Sequence, residues 1–337
     1  MSGVAHKKVD EAEDGMRLDR WFRLHFPDLR HGQLQKLLRT GQVRVDGGRV
    51  KSNTRLEMGQ EVRVPPGANV EPGGEGSVQP PRQQAARHGL SDEDREFVQG
   101  LVIHKDDDVI AINKPSGLPV QGGTRSERHL DLLLDGLKFK HPERPRLVHR
   151  LDKDTSGVLL LARSRQAAAK LGQSLKHRDA KKLYWALAIG VPRPSAGRID
   201  LALVKRGRAG QERVRGAKAD EEGGQRAVTY YRVLDQAGNR LAWLGLMPIT
   251  GRTHQIRAHC AAIGHPIAGD GKYGGSDAHP GGEIARRLHL HARAIKIPHP
   301  SGGWLEVDAP MPDHMVASWK ILGFEADRSV DLAEWDV

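Results

Sequence analysis

The sequence predicts a two-domain protein of the α/β (α+β) class, in which a small basic unit precedes a large domain of mixed strands and helices. Three observations lead there. Residues 17–55 carry two helical repeats and then a strand–turn–strand pattern, all within one basic block. Residues 65–91 are rich in Gly, Pro and Gln with almost no apolar side chain, the composition of a flexible tether. From Leu101 to Phe324, β-branched runs alternate with helical patterns. The boundaries expected from these shifts are a small domain at 1–66, a flexible linker at 67–97, the large domain at 98–326 and a polar, fraying tail at 327–337.

The elements follow in order. Leu18, Trp21 and Phe22 lie at helical spacing, as do Leu34, Leu37 and Leu38, while Pro27 and Asp28 break the pattern between them. Val43, Val45 and Val50 flank Asp46-Gly47-Gly48, a hairpin signal. Between Arg17 and Arg55 ten Lys/Arg stand against three acids, and they recur on both helices and the hairpin, which favours a binding surface over a merely solvated face. In the large domain, strands are expected at Val109–Asn113, Val158–Ala162, Tyr184–Ile189, Ala227–Leu234 and Leu241–Leu246, and helices at Ala167–Leu175 and His254–Ala262. The Gly-rich, charged stretch Arg206–Gln225 reads as a mobile insertion.

Composition narrows the function. The 337 residues are 38% hydrophobic, 28% charged and 4% aromatic, with a net charge of +11 and a pI near 9.8. A chain so basic points to a polyanionic partner such as nucleic acid. One cysteine, Cys260, excludes a disulfide framework and suits a reducing compartment. Residues 1–16 hold no apolar run, and Asp10, Glu11, Glu13 and Asp14 argue against a transit peptide, so a cytoplasmic protein without a membrane segment is expected.

The chemistry concentrates in Leu147–Ala162, where two apolar runs bracket His149-Arg150-Leu151-Asp152-Lys153-Asp154-Thr155-Ser156-Gly157. Apolar runs anchor the ends in a core, while the polar turn stays at an edge where it can meet substrate. An Asp beside an Arg there suits a nucleophile or base, since the cation favours the carboxylate as water is expelled. Asp152-Lys153-Asp154-Thr155 spells the D-x-D-x-T of aspartyl-nucleophile phosphatases, with Asp270 and Asp277 as conceivable metal ligands, but His149 and Arg150 interrupt the apolar approach that such a nucleophile closes. A kinase-type H-R-D loop lacks its Gly-rich phosphate loop and D-F-G.

The run H-R-L-D-x-x-T-S-G closely resembles the RluA family of pseudouridine synthases. Lys114-Pro115-Ser116-Gly117, Lys182-Leu183-Tyr184-Trp185-Ala186 and Pro248–His259 resemble that family's other motifs, in order, followed by Gly264-His265-Pro266-Ile267 and Gly269-Asp270. The resemblance implies a large, mixed but mainly antiparallel sheet with flanking helices. It implies Asp152 as the catalytic aspartate, Tyr184 stacked under the base and Arg257 paired with Asp152. Arg150, with His149 beside it, would attend the flipped uridine. It also implies no cofactor, because the reaction is an isomerisation. Arg17-Leu18-Asp19, the basic stretch Gln33–Arg39 and Val43–Gly47 resemble the small RNA-binding module first described in a ribosomal small-subunit protein, here called S-four-like. Its implied RNA contacts are Arg17, Arg20, Arg30, Lys36, Arg39 and Arg44.

Val120-Gln121-Gly122-Gly123, His291-Ala292, His299-Pro300 and Ala309-Pro310-Met311 resemble the RluC branch, which modifies large-subunit (23S) ribosomal RNA. Gln121 stands where that branch usually has His, and the 206–225 insertion is a second departure; an RluD-like specificity is the nearest alternative. The expected partner is therefore large-subunit ribosomal RNA, met by a monomer away from any membrane. A non-catalytic RNA-binding or assembly factor is the competing reading, and the intact Asp152, Tyr184 and Arg257 set speaks against it. His254, His259, His289 and His291 invite a metal site, but among 17 histidines chance pairings are expected and no metal is called for.

Overall fold

The computed structural model describes residues 4–29, 31–66, 90–122, 128–176, 180–206, 213–217, 221–329, 332 and 335. It divides into two units, 1–83 and 84–337.

In the first unit, β1 (Ala5–Lys8) precedes α1 (Leu18–His25) and α2 (His31–Arg39), and β2 (Arg44–Val45), β3 (Gly48–Arg49) and β4 (Glu61–Val64) follow. The helical repeats do what their spacing predicts: Leu18, Trp21, Phe22, Leu34 and Leu38 are buried against Val43, Val45, Val62 and Val64. Asp46 and Gly47, at φ 48° and 76°, form the turn that returns β2 onto β3. The strands make an antiparallel sheet in the order β1-β4-β2-β3. The sequence pattern did not reveal β1, because Ala5-His6-Lys7-Lys8 has no apolar alternation and is a strand through its pairing with β4.

The second unit begins with α3 (Asp92–Gly100), which lies partly within the expected linker. Ser91 Oγ accepts the Asp94 N–H at 3.1 Å and Val98 is fully buried, so a cap and an apolar anchor order the last part of 67–97. Residues 67–89 of that linker lie outside the described residues.

Ten strands then build one sheet among the described residues. They are β5 (Val102–Lys105), β6 (Val109–Lys114), β7 (Arg146–Leu147), β8 (Ser156–Ala162), β9 (Lys181–Ile189), β10 (Ala196–Asp200), β13 (Val228–Ala237), β14 (Leu241–Pro248), β15 (Leu290–Pro298) and β16 (Trp304–Asp308). The order is β10-β13-β14-β9-β15-β8-β6-β5, with β16 beside β15 and β7 beside β8. Only β8 and β15 run parallel among the described pairs. A separate hairpin joins β11 (Leu203–Arg206) to β12 (Arg213–Gly216). Its second strand falls within the 206–225 stretch expected to be a mobile insertion: Leu203 and Val204 before that stretch and Val214 within it are buried, while 207–212 and 218–220 lie outside the described residues.

Period-2 alternation sorts the two faces of the sheet. On β9, Leu183, Trp185 and Leu187 pack with Trp243 and with Met315 and Trp319 of α7 (Asp313–Leu322). Tyr184 and Ala186 point to the opposite face, where α6 (Gln255–Ala262) contributes Ile256 and Cys260. α4 (Leu130–Leu133) and α5 (Arg165–Ser174) cover the β6–β8 end. The tail does not simply fray, since Leu332 and Trp335 are buried in the Trp243–Trp319 cluster and Lys181 Nζ donates to the Leu332 carbonyl at 3.0 Å.

Gly157 controls how closely β8 meets β15. Its φ is 112°, and a Cβ there would sit 2.2 Å from the Ala292 carbonyl oxygen. Gly157→Ala should therefore destabilise the protein by more than about 2 kcal/mol through strain and backbone displacement. Urea unfolding of the two proteins checks this, and a difference below about 0.5 kcal/mol, the scale of an ordinary surface substitution, would contradict it.

Candidate active site

The loop between β7 and β8 carries the His149–Thr155 run and is held from below. Lys114 is fully buried, and its Nζ donates to the carbonyls of Pro115 (2.9 Å), Leu118 (2.9 Å) and Lys153 (3.0 Å). Burial lowers its pKa to about 8, with Asp154 and Asp152 pulling in the opposite direction. The Gly117 N–H reaches the Lys153 carbonyl and Ser116 Oγ the Asp154 carbonyl, both at 2.9 Å. Residues 114–117 are thus a brace for the loop. His149 Nε2 accepts the Leu160 N–H at 2.9 Å, and burial drives its pKa to about 3. That neutral ring ties the loop to β8, and His149 also lines the recess beside Asp152.

Asp152 sits partly exposed at the end of this support. Its carboxylate makes no hydrogen bond among the described residues; Arg257 Nη1 and His254 Nε2 each lie 3.8 Å from one of its oxygens. Arg257 therefore stands in ion-pair contact with Asp152, but without a hydrogen bond to it. Its hydrogen-bonded fork goes to Asp270, with Nε to Oδ2 and Nη2 to Oδ1 both at 2.7 Å. Asp270 Oδ1 also accepts the N–H groups of Lys272 and Tyr273 at 3.1 Å, and the Tyr273 ring faces the guanidinium at 5.1 Å. Burial opposes the Arg257 charge, but the Asp270 fork and Asp152 together raise its pKa above the usual arginine value. Asp270 is thereby fully engaged and is no counterpart of a phosphatase metal ligand.

α6 brings Arg257 and His254 here because its first turn is pinned. Gln255 Oε1 accepts from Thr250 Oγ1 (2.7 Å) and the Arg252 N–H (3.0 Å), while its Nε2 donates to the Val228 carbonyl and Thr229 Oγ1 (2.9 and 3.0 Å). His254, just before it, takes the left-handed conformation at φ 52°, a strained backbone of the kind found at functional sites.

Tyr184 forms the facing wall. Burial first, and then the Asp152 charge, push its phenol well above the ordinary tyrosine pKa, so it stays protonated. Together with Arg150, Asp152, Arg252, His254 and Arg257 it lines a cavity of about 110 Å³. This opens to a recess of about 620 Å³ past His149 and Lys182, and Asp152 also borders one of about 530 Å³ lined by Lys153, Lys272, Arg286 and Arg287. Arg150 is exposed at the rim. Arg150, Lys153, Lys272, Arg286 and Arg287 have no carboxylate partner among the described residues. Some exposed arginines elsewhere do have one: Arg128 pairs with Asp94, Arg144 with Asp131 and Asp135, and Arg198 with Asp200.

The histidines weighed as metal ligands have other partners. His259 meets Thr229 Oγ1 and the Leu201 carbonyl, His289 the Arg287 carbonyl and Ser318 Oγ, and His291 Ser156 Oγ and the Ala309 carbonyl. No metal-holding group of three His, Cys, Asp or Glu occurs among the described residues. In the first unit, Arg39 with Arg49 and Lys51 lines a shallow recess of about 660 Å³, and Arg20 and Lys36 are exposed. Two of the expected RNA contacts are held internally: Arg17 pairs with Asp19, and Arg44 donates to the Gly41 and Gly47 carbonyls. Arg30 lies outside the described residues.

A family model described as RNA pseudouridylate synthase matches residues 108–262. The "RNA pseudouridine synthase 4, mitochondrial" of Arabidopsis thaliana is 33% identical over 90% of this chain and 78% of its own length. The "Ribosomal large subunit pseudouridine synthase C" of Escherichia coli (strain K12) is 35% identical over 90% of this chain and 92% of its own. The solved structure of human RNA Pseudouridylate Synthase Domain Containing 4 superposes with a TM-score of 0.58 at 32% identity, covering 69% of this chain and 98% of that one. A carboxylate with no hydrogen bond of its own beside an arginine forked onto Asp270, on a mainly antiparallel sheet, accords with these likenesses: the chain belongs to the RluA family of pseudouridine synthases and is an enzyme of that class.

Proposed function

We propose that this synthase isomerises uridines of large-subunit ribosomal RNA, with Asp152 as its catalytic carboxylate. The observation that carries the residue assignment is the unengaged Asp152 carboxylate between Tyr184, His254 and Arg257, in a site where Asp270, Gln255 and Lys114 all have their hydrogen bonds made. The substrate assignment rests on the bacterial relatives named for the ribosomal large subunit and on the unpaired cations around the cavity.

A stacked uridine cannot present its glycosidic bond to a recessed carboxylate, so the nucleotide must be turned out of the RNA. Arg150, exposed at the rim, is placed to occupy the space the base leaves. Tyr184 offers a protonated ring for the base to lie against. Asp152 then acts at the ribose–base junction, the N1 bond breaks, the uracil turns, and C5 takes the sugar carbon; the C5 proton then leaves to water and N1 takes up a proton in its place. The nearby Arg257 charge stabilises the carboxylate without occupying its oxygens. The first unit serves as an S-four-like RNA-binding domain, with Arg20, Lys36 and Arg39 among the cations turned to solvent. The enzyme works in the cytoplasm as a monomer; among the described residues no helix is long and apolar enough to cross a membrane.

Asp152→Asn keeps the shape and removes the charge. With RNA carrying tritium at uracil C5, tritium release should fall below about a thousandth of the wild-type rate, while RNA affinity stays within a few-fold. Near-normal release by the variant would remove Asp152 from the chemistry.

The cations of the first unit should act on phosphates and not on the reaction. Replacing Arg20, Lys36 and Arg39 together by Gln should lower the slope of log affinity against log salt by about 2, at roughly 0.7–0.9 per lost phosphate contact. The single-turnover rate at saturating RNA should be unchanged. A slope equal to that of the wild type would show that this surface is only solvated.

A further inference from the structure

His254 faces Asp152 but belongs to a hydrogen-bonded chain that begins elsewhere in the fold. The Val214 N–H, on β12, donates to the Tyr273 hydroxyl at 3.3 Å, and that hydroxyl lies 2.8 Å from His254 Nδ1. Two proton arrangements satisfy these distances. If Nδ1 carried the proton, the tyrosine hydrogen would have no acceptor in the chain and the bare lone pair of Nε2 would face the Asp152 carboxylate. If the tyrosine donates to Nδ1, its oxygen still accepts from Val214, and the imidazole proton resides on Nε2, 3.8 Å from Asp152 Oδ1. The second arrangement is the favourable one. Burial supports it by lowering the His254 pKa, as do Arg257 and Lys272, against Asp152 and Asp270; burial likewise raises the Tyr273 pKa, so the hydroxyl keeps its proton.

The hairpin that supplies Val214 is fastened to this corner. Leu203 and Val214 pack with Ala227, with Ala258 of α6 and with Tyr273, and the Arg213 guanidinium donates to the Lys272 carbonyl. The Tyr273 ring stands edge-on to His254 at a centroid distance of 5.6 Å and an interplanar angle of 89°.

We propose that His254 is a positioning residue that presents Nε2–H to the Asp152 carboxylate, and that Tyr273, braced by the β11–β12 hairpin, fixes the tautomer and ring that make this possible. The inference rests on the assignment of Asp152 as the catalytic carboxylate. It turns the insertion from a surface ornament into part of the active-site scaffold, one contact removed from the reacting group.

The test is a double-mutant cycle on the full chain, read as single-turnover rates at saturating RNA, RNA affinity and thermal midpoint, with Asp152→Asn run alongside. His254→Asn tolerates the left-handed backbone but cannot reach Asp152; it should slow the reaction about 10- to 100-fold with affinity within about twofold. His254→Gln restores a donor at the Nε2 position and should recover most of that loss. Tyr273→Phe keeps the ring under Arg257 and should slow the reaction several-fold, and the Tyr273→Phe/His254→Asn double variant should be no slower than His254→Asn alone. Losses that multiply, a His254→Asn rate near wild type, or a Gln variant as slow as the Asn variant would each overturn the proposal. An active Asp152→Asn would instead overturn the assignment on which it rests.

Discussion

The arrangement depends on the buried fork between Arg257 and Asp270. A guanidinium cut off from water is tolerated only with its donors met, and removal of one partner of such a pair costs about 3–5 kcal/mol. Two 2.7 Å bonds and two backbone N–H groups on Asp270 meet that demand. They also fix α6 against the 269–273 loop. That loop passes so close to its neighbour that a Cβ on Gly269, at φ 78°, would sit 1.8 Å from the Arg287 carbonyl oxygen. With Arg257 forked onto Asp270, its remaining amino group sets a positive charge 3.8 Å from Asp152. The carboxylate is held by field and by the loop beneath it, and its oxygens stay available.

The same division runs through the site. Lys114, His149 and Gln255 are polar groups whose bonds are complete, and they are the scaffold. Asp152 and Arg150 have incomplete shells and face the opening, where a flipped nucleotide would complete them. Around them Lys153, Lys272, Arg286 and Arg287 have no carboxylate partner among the described residues, a concentration of positive charge of the kind that draws a phosphate backbone.

Much of this was legible in the sequence. The strand runs at Val158–Ala162 and Leu241–Leu246 are apolar over their whole length and fall in β8 and β14, both buried on two faces. The Asp152 loop and Tyr184 could be picked out because their motifs are local. What stayed hidden was tertiary. Asp270 lies thirteen residues beyond Arg257, and no spacing rule says that it takes the hydrogen-bonding fork while Asp152 has only the longer ion-pair contact. His254 was visible only as a member of a histidine set. The Val214–Tyr273 contact joins residues 59 apart through an insertion whose charges concealed a buried valine. Trp335 was counted with a polar tail, although its spacing from Leu332 is that of a helical turn docking on a core. Arg17 and Arg44 looked like their basic neighbours, yet one is engaged by a carboxylate two residues away and the other by the carbonyls of its own hairpin.

The most direct measurement is a map of pseudouridine across ribosomal and transfer RNA from cells lacking this gene, repeated after return of the wild-type or the Asp152→Asn form. Particular positions in large-subunit RNA should lose the modification, regain it with the wild-type gene and remain unmodified with Asp152→Asn, while small-subunit and transfer RNA stay unchanged. A large-subunit map unaltered by loss of the gene would contradict the substrate, and one restored by Asp152→Asn would contradict the role given to the carboxylate.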